Sequence, residues 1–149
     1  MPRVSADEFY KGKTVTFVVG FSAGGGFDTY TRLIARHFGK HVPGNPTVVV
    51  ENRTGAGSLI AANYIFHQAP RDGTVIGNWI GPLVLQQVLG NKAAKFDGRQ
   101  FGWLGVPTPD SGVCALTQAS GIKTIDDWFK SDRPIKIGGT APGSTTDDV

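Results

Sequence analysis

One cysteine in 149 residues, three histidines and no block of like charge close off several kinds of function before any motif is considered. A lone Cys114 cannot form an internal disulfide, and its apolar neighbours Val113, Ala115 and Leu116 suit a buried, inert thiol. Lys and Arg are scattered, so the net charge of +3 describes solvated faces with a mild bias toward anionic ligands and gives no sign of nucleic-acid binding. No apolar run is long enough to span a bilayer, and Met1 to Gly12 lacks the apolar core of an export signal. His37 and His41 have a spacing that can hold a metal, but no cysteine or carboxylate nearby completes a ligand set. His67 stands alone near a helix end, where a cation suits the dipole. No metal and no cofactor are expected.

The sequence is also poor in catalytic machinery. Gly24-Gly25-Gly26 is followed by no Lys-Ser/Thr pair, and Asp28 and Thr29 stand where a dinucleotide fingerprint needs its third glycine, so nucleotides are disfavoured. Gly143-Ser144 lies outside any G-x-S-x-G context, which casts Ser144 as a hydrogen-bond donor and not a nucleophile.

What the chain has in quantity is glycine, 21 residues of it, with 9 prolines and 40% apolar residues, the profile of a globular protein with many tight connections. The β-branched run Thr14 to Val19 breaks at Gly20 and passes through Ser22-Ala23-Gly24-Gly25-Gly26-Phe27-Asp28 into a helical pattern. Tyr30, Leu33, Ile34 and Phe38 form its expected apolar stripe, with Arg32, Arg36 and Lys40 turned elsewhere. Such a strand presents unpaired helix N–H groups, with the positive end of the helix dipole, to a small anion. Asp28 has two open roles: it caps the helix, or it accepts a hydrogen bond from a ligand hydroxyl or bound water.

The same plan recurs. Thr47 to Glu51 reads as a second buried strand, Asn52 to Gly57 as a second glycine loop, and Ser58 opens a helix through Leu59, Ala62, Ile65 and Phe66. A turn at Pro70 to Gly73 precedes a strand over 74–80, and Pro82 starts a short helix closed by Gly90. Lys92 to Gln100 reads as a polar surface loop and Phe101 to Val106 as another strand. Pro107-Thr108-Pro109-Asp110 is the expected domain crossing. Strands at Val113 to Leu116 and Pro134 to Thr140, a Thr124-capped short helix and a loop over Ala141 to Asp148 complete the series. Alternating strands and helices imply a largely parallel α/β sheet, with ligands outside the carboxyl ends of its strands, where all three glycine loops fall. Asn78, Trp79 and Gln86 are further candidates for the pocket wall, with core packing the competing role for Trp79.

Several of these residues together carry a family resemblance. Phe9-Tyr10-Lys11-Gly12-Lys13-Thr14-Val15, Gly24-Gly25-Gly26-Phe27-Asp28 with Arg32, Val49-Val50-Glu51-Asn52-Arg53 with Gly55-Ala56-Gly57, Ala61-Ala62-Asn63-Tyr64 and Pro70-Arg71-Asp72-Gly73-Thr74 resemble the substrate-binding proteins of tripartite tricarboxylate transporters, the Bug or TctC family. The resemblance implies an α/β, periplasmic-binding-protein-like (type II) fold of two lobes. Residues 1–105 would be the first lobe and 106–149 the start of the second, so that lobe 1 is mostly present and lobe 2 only begun. It implies a periplasmic, non-enzymatic receptor that closes on a small organic acid and delivers it to membrane permease subunits. The residues it implies for carboxylate binding are Ala23, Gly24, Gly25, Gly26, Phe27 and Asp28 on one side and Gly143, Ser144 and Thr145 on the other. Family members carry an export signal and continue well past the Gly-Ser loop, so the chain reads as about half of such a receptor. Common members read Pro-Asp-Gly-Tyr-Thr where Pro70-Arg71-Asp72-Gly73-Thr74 stands, as in a divergent branch. Two alternatives remain: a half-receptor that needs a missing C-terminal segment or a second copy, and an α/β enzyme using Asp28, Asp147 or Asp148 on an anionic substrate.

Overall fold

A computed structural model of the chain describes residues 9–108, 115–135 and 137–138. Its elements run β1 (Thr14–Val19), α1 (Gly26–His41), β2 (Thr47–Asn52), α2 (Leu59–His67), β3 (Val75–Asn78), α3 (Leu83–Val88) and α4 (Ile125–Phe129). The three strands form one parallel sheet in the order β2-β1-β3. β1 is central because its side chains suit burial on both faces: Val15, Val18 and Val19 are fully buried and Phe17 nearly so. β2 differs from the buried strand expected. Among the described residues it pairs with β1 alone, and Val49 is 43% exposed, as an edge position allows.

The chain steps from β1 to β2 in one direction and from β2 across to β3 in the other. Right-handed crossovers therefore put α1 and α2 on opposite faces of the sheet. Phe38 of α1 meets Phe17 of β1 edge to face at 5.1 Å. On the α2 side, Leu59, Ala62, Leu83 and Phe96 form a buried cluster, with Phe66, Trp79, Ile80, Val84, Ala94 and Phe101 packed against it. Burial of each large side chain there contributes about 1.5–3 kcal/mol.

The expected stripe on α1 is overturned. Tyr30, Leu33 and Ile34 are 49%, 55% and 36% exposed, while Asp28 and Thr31 are buried. At 100° per residue, Asp28, Thr31 and Phe38 lie on one side of the helix, the side that meets the strands. Polar residues face inward because hydrogen-bond partners wait for them at the strand ends.

Two other expectations change. The segment 92–100 is not wholly a surface loop, since Phe96 enters the core and Asp97 caps a short 3-10 turn at Gly98–Gln100. Residues 101–106 form no strand. Phe101 and Trp103 do alternate onto one aromatic cluster, with ring centroids 5.2 Å and 6.2 Å from Trp79, but their backbone has no partner strand among the described residues. The described parts of the two later expected strands, residues 115–116, 134–135 and 137–138, are likewise irregular; Val113, Cys114 and the rest of those segments lie outside the described residues. The short helix near Thr124 forms as expected, with a capping box in which Thr124 Oγ1 accepts from the Asp127 N–H and Asp127 accepts from the Thr124 N–H. No described helix is long and apolar enough to cross a membrane.

Candidate functional site

In a sheet of order β2-β1-β3, the chain reverses its direction of travel between β1 and β3, and crevices for ligands open there at the carboxyl ends of the strands. The turn after β1 leads into this point. Gly25 N–H donates to the Ser22 carbonyl at 3.3 Å, and Gly24 takes φ +83°, a left-handed value that a side chain would strain. Phe21 and Phe27, on either side of the turn, stack at 4.5 Å with planes 18° apart. Ala23, Gly24, Gly25 and Gly26 between them are exposed.

Gly25, not Asp28, is the N-cap, and Asp28 is the third residue of α1. Its Oδ2 accepts from Gly24 N–H at 2.8 Å and from Arg32 Nε at 2.9 Å, and its Oδ1 accepts from Asn52 Nδ2 at 2.9 Å. The residue is 2% exposed. The Arg32 guanidinium, then the Gly24 amide and the Asn52 carboxamide, hold this carboxyl well below the usual carboxylate range. Asp28 is thus ionised, neutralised by Arg32 and turned inward.

The N–H groups of Gly26, Phe27 and Asp28 precede the first intrahelical bond of α1, and no acceptor takes them among the described residues. These donors, at the positive end of a 16-residue helix, are what the site offers an anion. Gly24 N–H is spent on Asp28, so the cradle is shifted from the triple glycine toward the first turn of the helix.

Asn52 and Thr31, given no binding role above, and Asn78, a candidate for the pocket wall, shape this turn. Asn52 Nδ2 also donates to the Phe21 carbonyl at 2.9 Å, while Asn52 Oδ1 accepts from Arg32 Nη2 at 3.0 Å. Thr31 Oγ1 donates to the Phe27 carbonyl at 2.7 Å and accepts from Asn78 Nδ2 at 2.6 Å. The signal for Asn52 is an asparagine closing a β-branched run just before a glycine loop, a position where a short amide reaches neighbouring backbone.

The other candidates separate. Trp79 sits in the aromatic cluster, and Gln86 is buried with its Oε1 accepting from Asn91 Nδ2. Gly143, Ser144 and Thr145 lie outside the described residues. His37 and His41 are exposed on α1, His67 Nε2 contacts the Lys95 carbonyl at 2.5 Å, and the described residues contain no metal-ligating group of three or more.

The second glycine loop is built differently. Ala56 and Ser58 hold φ +46° and +80°, flanking Gly57 at +56°. Ser58 is fully buried against Gly20, and its Oγ has no hydrogen-bond partner among the described residues. Arg53, within this loop, lays its guanidinium 3.6 Å over the Tyr64 ring. These motif residues hold the second connection together and leave it closed.

No family model matches the chain. Over 76 residues, half its length, the chain is 34% identical to a curated protein of Pseudomonas sp. (strain P51) described as a UPF0065 protein in the tcbD-tcbE intergenic region. It spans 22% of that relative's length.

Proposed function

We propose that the chain is the N-terminal portion of a solute receptor of the Bug/TctC type, and not an enzyme. It binds the carboxylate of a small organic acid at the first turn of α1, in the periplasm, and serves the permease subunits of a tripartite tricarboxylate transporter. UPF0065 is a designation of that family, so the partial similarity to a UPF0065 protein supports the reading. The observation that carries it is the N–H trio of Gly26, Phe27 and Asp28, unpartnered among the described residues, at the reversal point of a parallel sheet, next to the exposed turn Ala23 to Gly26 and beside a carboxylate already neutralised by Arg32. A carboxylate bound there gains charge-assisted hydrogen bonds. Gly143, Ser144 and Thr145 are the proposed opposite wall.

Thermal denaturation against a panel of mono-, di- and tricarboxylates tests this. An acid present at a hundred times its Kd raises stability by about 2.7 kcal/mol. No shift with any acid, in the longest natural form of the protein, defeats the receptor reading. Asp28→Asn separates it from an enzyme: the receptor's affinity weakens, whereas an enzyme relying on that carboxylate loses turnover.

A second reading draws on the exposed apolar side chains Val88, Leu104 and Val106, each 77% exposed or more. In it the chain is a half-receptor whose cleft is completed by further polypeptide or by a second copy. Light scattering on the 149-residue chain distinguishes a monomer from a self-associated form.

A further inference from the structure

The register of the sheet aligns two asparagines. Asn52 of β2 and Asn78 of β3 are both paired with Val19, the last residue of β1, one from each side. Two carboxamides therefore stand at the same level of the carboxyl edge, flanking the strand that enters the glycine turn. Both reach α1. Asn52 Nδ2 holds Asp28 Oδ1 and the Phe21 carbonyl; Asn78 Nδ2 holds Thr31 Oγ1 and, at 3.4 Å, the Phe27 carbonyl. Asp28 and Thr31 are three apart on the helix and both are buried, while Phe21 and Phe27 bound the turn. The four anchor points enclose the segment that carries the unpartnered N–H groups.

From this we infer that Asn52 and Asn78 are positioning residues, a two-sided clamp that fixes the direction of the Gly26, Phe27 and Asp28 N–H groups before any ligand arrives. The inference rests on the carboxylate site proposed above. Three glycines in a row make a turn that is costly to order, and a clamp that orders it in the unliganded protein removes that cost from binding. Asn52 carries the larger share. Of the two, Asn52 makes bonds on both ends of its amide, and its Oδ1 holds Arg32 in place to neutralise Asp28.

The test uses the whole chain, first without ligand. Backbone ¹⁵N relaxation of Gly24, Gly25, Gly26 and Phe27 reports order near 0.85 in the wild type if they are clamped, falling toward 0.6 or below in Asn52→Ala and less far in Asn78→Ala. Asn63→Ala is the control: Asn63 makes the same kind of amide bridge, to the Ala93 carbonyl and the Lys95 N–H, away from the turn. Asn52→Asp keeps the side chain's size, loses both donated bonds and serves if the alanine variant does not fold. Titration with succinate then shows about tenfold weaker binding in the Asn52 variants and unchanged binding in Asn63→Ala. Unchanged order in the turn of the Asn52 and Asn78 variants overturns the clamp, as does equal loosening in Asn63→Ala. If succinate and its congeners fail to bind the wild type in the longest natural form of the protein, the receptor reading falls, and the relaxation data on the unliganded protein still decide the clamp.

Discussion

The connections after β1 and β2 start from the same plan, a β-branched strand, a glycine-bearing loop and a helix, and end as different objects. After β1, one residue, Gly24, takes a left-handed conformation, and the surrounding polar side chains are matched by donors and acceptors. The residues from Ala23 to Gly26 stay exposed. After β2, Gly55 to Ser58 all have positive φ, two of them without the freedom of glycine, and the segment closes against Gly20 with a hydroxyl left unpartnered among the described residues. An ordered, open turn can receive a ligand. A strained, closed one fixes how a helix leaves the sheet. Glycine content does not separate the two; the neighbours supplied by other strands do.

The strongest way to break this contrast is to crowd the closed loop. A Cβ at Gly20 would lie 2.5 Å from Ser58 Cβ and 2.6 Å from its Oγ. Gly20→Ala therefore costs about 1–3 kcal/mol in urea denaturation. Ser58→Gly restores most of the loss in the double variant, because it removes both obstructing atoms and the left-handed strain. Additive effects of the two changes would show that the loops do not meet as described.

A smaller effect sharpens the account of the open turn. Asp28 releases its proton more readily folded than unfolded, so the stability it contributes is complete above the ordinary carboxylate range, about pH 4, and is lost as pH falls below it. Asp72, Asp97 and Asp127 are also held low, by Thr74, by Arg99 and by the Lys123 amide respectively, and they drain in the same direction. The difference between wild type and Asp28→Asn isolates the first. Its acid-side melting curve is flatter than the wild type's; identical pH slopes would show that Asp28 is not held by Arg32 in solution.

The least effect belongs to the outward face of α1. Leu33→Ser changes stability by less than about 0.5 kcal/mol, since Leu33 is 55% exposed. A loss of 2 kcal/mol or more would mean that this face is covered in solution.

The α1 stripe shows where sequence reasoning failed. Tyr30, Leu33 and Ile34 have the spacing of a core-facing helix, yet Asp28 and Thr31 face the sheet, because Asn52 and Asn78 satisfy them there. Helical periodicity counts apolar residues and cannot count partners 24 or 47 positions away. Phe101 and Trp103 failed in another way: their alternation is that of a strand, but a strand also needs a neighbour. By contrast, the Thr124–Asp127 capping box was readable because both partners sit within one turn.

By itself the sequence determined the local grammar: the strand-forming run Thr14–Val19, the start of α1 beside three glycines, the Thr124 cap and the turns. These follow from torsional preference and short-range hydrogen bonding, which act over a few residues. Tertiary structure alone decided that β1 lies between β2 and β3, that Asn52 and Asn78 meet at Val19, and that one glycine loop stays open while the other closes. Each of these depends on which distant strand lies alongside, a choice made by burial of the whole sheet that no short stretch of sequence encodes.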